Sequence, residues 1–172
     1  MLLDLLYQRR SIRKYSERPI EKTKIEALKE AALLSPSSRS LRPWEFIFID
    51  HKEMIASLAK AKAHGSGFLA NAPLAIVIVG DPTVSDVWVE DCSIAATILQ
   101  LVAHDLGLGS CWIQIRKRMH HESLSSEDYI KNLLGISQNK NIEAILSIGY
   151  PDELHPPYTK EQLQWNKISD YA

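Results

Sequence analysis

The stretch from about Ser85 to Leu106 constrains the chain most, because it reads as one long helix with almost no polar stripe. Val87, Trp88, Val89, Ile94, Ala95, Ala96, Ile98, Leu99, Leu101, Val102 and Ala103 fall on every side of a helical wheel, the pattern of a helix buried nearly all round. Glu90, Asp91, His104 and Asp105 exclude a membrane span, since charge inside a bilayer is costly. In a chain of 172 residues, such a helix asks for more cover than one small core supplies. The expectation is a partner subunit along one side. Thr83 and Asp86 have capping-box spacing at the helix start.

Shorter elements surround this helix. Apolar residues at Ile25, Leu28, Ala31 and Ala32 predict a helix over Thr23 to Leu34, stopped by Pro36, with a donor-rich loop from Ser35 to Pro43. Trp44 to Asp50 reads as a strand and His51 to Ala63 as a helix. Ala72 to Gly80 is apolar throughout, as in a strand covered on both faces. Ser110 to Ile115 and the alternating Ile142, Ala144, Leu146 and Ile148 predict two more strands. Ser125 with Asp128 caps a short helix closed by Gly135. Residues 150–172 are polar, with Pro156-Pro157 and isolated Trp165, Ile168 and Tyr171. They predict an extended arm anchored on another surface. No repeat or second core is visible, so 1–172 reads as a single domain.

A formal net charge of −1 argues against nucleic-acid and membrane-surface partners, which reward a basic excess. Cys92 and Cys111 lack paired spacing and read as reduced, buried thiols, which fits a cytoplasmic location. Met1 to Leu6 is too short for a signal peptide or membrane span and carries Asp4. His120-His121 has no zinc-ligand spacing, so no metal site is expected. Gly107 to Gly109 follows a helix and precedes a strand, the reverse of a dinucleotide-binding turn.

The chemistry gathers in Arg9-Arg10-Ser11-Ile12-Arg13-Lys14-Tyr15. Two readings are open on these residues alone. Guanidiniums and a serine hydroxyl this close can converge on a phosphate; equally, cations gather at the carbonyl end of a helix, here Met1 to Gln8. With no evident nucleophile in either serine-rich loop, a site here suits a cofactor that carries the reactivity itself.

Taken in order, these segments resemble the nitroreductase family. Arg9-Arg10-Ser11-Ile12-Arg13 is similar to its opening phosphate motif, and Pro36-Ser37-Ser38 with Pro43-Trp44-Glu45-Phe46 to its second motif. The long helix followed by Leu106-Gly107-Leu108-Gly109-Ser110-Cys111-Trp112-Ile113 resembles its interface helix and next strand, and Ile145 to Pro151 its last sheet strand. The resemblance implies an α+β fold: a three-layer α/β/α sandwich with a mainly antiparallel sheet, in an intertwined homodimer that exchanges C-terminal arms. It implies FMN as cofactor and NAD(P)H as transient electron donor. Arg9, Arg10, Ser11 and Arg13 would hold the ribityl phosphate, with a further contact from Lys160. Pro36, Ser37, Ser38 and Ser40 would lie along the flavin from the neighbouring chain. Trp112, Ile113 and Gln114 would border the ring, with the backbone N–H of Gln114 or Ile115 near the flavin N5. The pyrimidine edge would be left to Lys62, His64 or Arg42.

The function so implied is transfer of reducing equivalents from NAD(P)H to a small-molecule acceptor such as a nitroaromatic or quinone, by a ping-pong mechanism with no catalytic side chain. Two alternatives accompany it. One is a specialised flavin enzyme of the same fold, for dehalogenation, flavin fragmentation or metabolite dehydrogenation. The other is a non-catalytic FMN-binding or storage protein.

Overall fold

Two strands buried at nearly every position, β2 (Leu74–Gly80) and β6 (Asn141–Gly149), form the centre of the sheet. The computed structural model describes residues 1–171. β1 (Trp44–Ile49) flanks β2 and β3 (Gly109–Gln114) flanks β6, giving the order β1-β2-β6-β3 with every pair antiparallel. A strand covered on both faces has no use for polar alternation, which is why β2 is a continuous apolar run and why even Glu143 and Ser147 of β6 are buried.

The covers lie on opposite faces. On one, α2 (Lys22–Leu34) and α4 (Trp88–Asp105) pack Leu28, Ala32, Cys92, Ala96 and Leu99 against Ile76, Ile78, Leu146 and Ile148. On the other, α3 (Lys52–Leu58), a 3-10 segment at Gly67–Asn71 and α5 (Ser126–Leu134) pack Ile55, Leu69 and Ile130 against Val77, Ile113 and Ile145. The three-layer sandwich is therefore as expected. α1 (Leu2–Gln8) rests against α4.

α4 is not covered all round within one chain. Ile94 is 44% exposed, and it forms a shallow groove with Ser93, Thr97 and Ile98. The Thr83–Asp86 capping box does not form: Thr83 donates its N–H and hydroxyl to Asp81 Oδ1 at 2.9 and 2.6 Å, and the helix begins only at Trp88. A nearer carboxylate has outcompeted the cap. α3 is shorter than expected, ending at Leu58. A hairpin of β4 (Met119–His121) and β5 (Leu124–Ser125) was not expected, because Met-His-His shows no strand alternation. The second cap does form, with Asp128 N–H donating to Ser125 Oγ at 2.9 Å and Gly135 left-handed at φ 68°.

Beyond Glu153, every described residue is exposed. The arm's ties include Tyr158 N–H to Tyr7 O at 2.9 Å and Arg10 Nη1 to Pro156 O at 2.5 Å. Among the described residues, no helix is long and apolar enough to cross a membrane.

Candidate functional site

β3 is an edge strand, and its outer side is the floor of the site. Ile12 N–H donates to Ser110 O at 3.0 Å, so the backbone groups of Ser110 point outward. Alternation along an antiparallel strand then turns those of Trp112 and Gln114 outward too. Ile115 N–H points inward and donates to Glu143 O at 3.3 Å. Of the two backbone donors suggested by the resemblance, Ile115 is committed to the sheet and Gln114 faces the open edge.

The Arg9–Arg13 segment is seated on this edge by close packing. A Cβ on Gly109 would lie 2.7 Å from Ile12 Cβ, so only glycine lets Ile12 approach. Buried Tyr15 donates its hydroxyl to Ile12 O at 2.6 Å and pairs with Ser147 Oγ at 2.7 Å, and burial pushes its pKa up. From the far end of the chain, Glu153 Oε1 accepts the N–H groups of Arg13 at 2.5 Å and Lys14 at 3.2 Å. Those bonds, Arg13's foremost, hold its carboxyl below the usual carboxylate range.

With the backbone so fixed, side chains are left over. Among the described residues, the guanidiniums of Arg9 and Arg13 have no hydrogen-bond or ion-pair partner. That of Arg13 lies 5.8 Å from the Phe68 ring centroid. The buried Cys111 thiol sits among Arg13, Ser11 and Arg9; burial pushes its pKa up and these groups pull it down. Lys62 feels Cys111 and Arg118, and its ammonium pKa is lowered first by burial and then by Arg118. Arg9 and Arg13 from one segment and Lys62 from another thus lie within electrostatic reach of one thiol, with Arg118 acting on Lys62. Arg10 faces elsewhere, toward Pro156 O and 4.6 Å from the Tyr158 ring centroid. Lys160 is exposed in a 3-10 turn of the arm and none of its described hydrogen bonds reaches the Arg9–Arg13 segment. His64 is exposed.

Beside the edge, Trp112 Nε1–H donates to Gln114 Oε1 at 2.9 Å, and Gln114 Nε2 donates to Arg116 O at 3.0 Å. Both side chains are half-buried, whereas Ile113 lies in the core.

The second loop is built differently. Pro36 and Ser40 are exposed, Ser37 and Ser38 half-buried. Arg39, Ser40 and Arg42 are left-handed, with φ 51°, 53° and 50°. Ser38 N–H donates to Asp91 Oδ1 at 2.7 Å, Arg42 N–H donates to Ser37 Oγ at 2.8 Å, and Arg39 pairs with Asp86. These bonds keep the loop at the N-terminal end of α4, while Arg9–Arg13 sits on the strand that follows its C-terminal end; α4 is about 27 Å long at 1.5 Å per residue. No hydrogen bond joins the two segments among the described residues.

Arg118, Glu153 and Asp91 were not singled out from the sequence as site residues. The basic run Arg116-Lys117-Arg118 directly after β3 was a usable signal for the first; no local pattern marked the other two.

The nitroreductase family model matches residues 6–66 and 52–150. The chain belongs to this family. An FMN-dependent nitroreductase from Clostridium difficile R20291 is 46% identical, with a TM-score of 0.97 and 99% of each chain covered. A protein of Archaeoglobus fulgidus provisionally named NADH dehydrogenase/NAD(P)H nitroreductase is 39% identical over 88% of this chain and 86% of its own length. A structure so named from Parabacteroides distasonis ATCC 8503 is 30% identical, with a TM-score of 0.88 over 99% of this chain and 98% of its own.

Proposed function

We propose that this chain is an NAD(P)H-dependent FMN oxidoreductase acting as an intertwined cytoplasmic homodimer, its 172 residues forming one FMN-binding domain. The carrying observation is the pair of guanidiniums, Arg9 and Arg13, unpartnered among the described residues, on a segment that Ile12 N–H ties to the outer edge of β3 through Ser110 O. The donor set fits FMN: a phosphate takes several guanidinium and hydroxyl donors, and a flat heterocycle takes the outward backbone groups of a strand edge.

Arg9, Ser11 and Arg13 would hold the ribityl phosphate, with Arg10 adding charge while its fork braces the arm. The Gln114 N–H would meet the ring edge, and Trp112 with Gln114 would limit tilt. Lys62 and Arg118 would stabilise negative charge on the bound ring. Pro36, Ser37, Ser38 and Ser40 would reach it from the neighbouring chain across the open strip of α4, with the arm of residues 150–172 laid on the same neighbour. Bound there, FMN would supply the redox chemistry for ping-pong transfer of reducing equivalents from NAD(P)H to a nitroaromatic or quinone. The residues position, screen and orient; none need donate a proton.

Purified protein should be a dimer with flavin absorption that NADH or NADPH bleaches without oxygen. Colourless protein that cannot be reconstituted with FMN overturns the reading, and flavin that neither nicotinamide reduces leaves a binding protein. A screen of acceptors with both donors then identifies the substrate class.

A further inference from the structure

We infer that Asp91 is the positioning residue that shapes the 37–42 loop for its place beside the flavin. This rests on the FMN reading above, in which that loop reaches the neighbour's cofactor. Asp91 is 2% exposed in the first turn of α4, where helical N–H groups favour a carboxylate. Both its oxygens are engaged: Oδ1 accepts Ser38 N–H at 2.7 Å and Oδ2 accepts the hydroxyl of Ser85 at 3.1 Å. Ser85 is itself 2% exposed, and its Oγ accepts Val87 N–H at 3.3 Å. The carboxylate is therefore fixed in orientation before any ligand arrives.

What it holds is a backbone that opposes its own conformation. Arg39, Ser40 and Arg42 all lie in the left-handed region that side chains other than glycine disfavour. The bonds Ser40 N–H to Ser37 O, Leu41 N–H to Ser38 O and Arg42 N–H to Ser37 Oγ run within the loop and cannot fix it to the fold. The Arg39–Asp86 pair is exposed on both sides and adds little. Asp91 supplies the buried anchor. Drawing Ser38 N–H inward leaves Arg39, Ser40, Leu41 and Arg42 exposed as a preformed surface. Strain kept where nothing in the chain's own core uses it marks a surface built for a ligand.

The test compares wild type, Asp91→Ala, Asp91→Asn and Ser85→Ala as stripped dimers. FMN affinity is measured by flavin fluorescence, loop order by the rate of tryptic cleavage after Arg39, and Tm alongside. D91A should weaken FMN binding about tenfold or more and speed cleavage about as much, the loss of a bond to a charged acceptor. D91N, which keeps an acceptor for Ser38, should stay within about threefold, a rescue that a merely space-filling role would not separate from D91A. S85A should fall between, and it decides the matter if D91A does not fold. Unchanged affinity and cleavage in D91A, or in S85A where D91A is lost, overturn the inference. Faster cleavage with unchanged affinity also overturns it, since the loop then lies outside the flavin site. Wild type that binds no FMN overturns the functional reading instead.

Discussion

Two segments of this protein have nearly the same composition and opposite construction. Arg9–Arg13 and Arg39–Arg42 both combine arginines with serine. The first lies extended along β3, its backbone held by Ser110 O, the Tyr15 hydroxyl and Glu153, so that Arg9 and Arg13 stay free. The second is left-handed at Arg39, Ser40 and Arg42, held by Asp91 and Ser37, and ties Arg39 to Asp86. Where an extended backbone is laid on a strand edge, its cations are available for a ligand; where the loop folds on itself and spends an arginine on Asp86, its shape is what is on offer.

The contrast can be broken most directly at Arg13. Arg13→Ala should weaken FMN binding by about 1.5 to 3 kcal/mol, the worth of a charge-assisted bond, measured by titration. Unchanged affinity would return the arginines to a helix-end role. Tyr15→Phe comes next. It strips a buried hydroxyl from Ile12 O and Ser147 Oγ, and chemical denaturation should show a loss of about 1 to 2 kcal/mol. FMN should weaken in parallel if the segment's seating matters.

A smaller effect follows from pH. The folded-state pKa of Glu153 is depressed, chiefly by Arg13 N–H, so its bracing is complete above the unfolded value of about 4.3 and is lost as pH falls through the depressed folded value. FMN affinity should drop over that acid range in wild type, and Glu153→Gln should flatten the drop. The smallest effect is at Arg39. Its pair with Asp86 is exposed, and Arg39→Ala should change stability by no more than about 1 kcal/mol. A larger loss would mean that the ion pair, rather than Asp91, holds the loop.

Legibility followed locality. The central strands announced themselves, β2 because burial on both faces demands apolar residues throughout and β6 by the alternation of Ile142, Ala144, Leu146 and Ile148. The β4–β5 hairpin did not, since three residues with no alternation carry no period. The Arg9–Arg13 segment was visible as a local cluster, but Glu153, which accepts Arg13 N–H from 140 positions away, was not. Asp91 was read only as a polar break in an apolar helix, because its partner Ser38 is 53 positions upstream.

The sequence by itself determined the apolar sandwich, the helix that needs outside cover, and the residue types able to meet a phosphate, because each depends on side chains near one another in the chain. Tertiary structure decided which of those groups are free. Whether an arginine is paired, an N–H points outward or a carboxylate is buried depends on what distant segments bring alongside it. Thus Arg10 is turned to the arm, Arg9 and Arg13 are left without partners among the described residues, and Asp91 is committed to the loop.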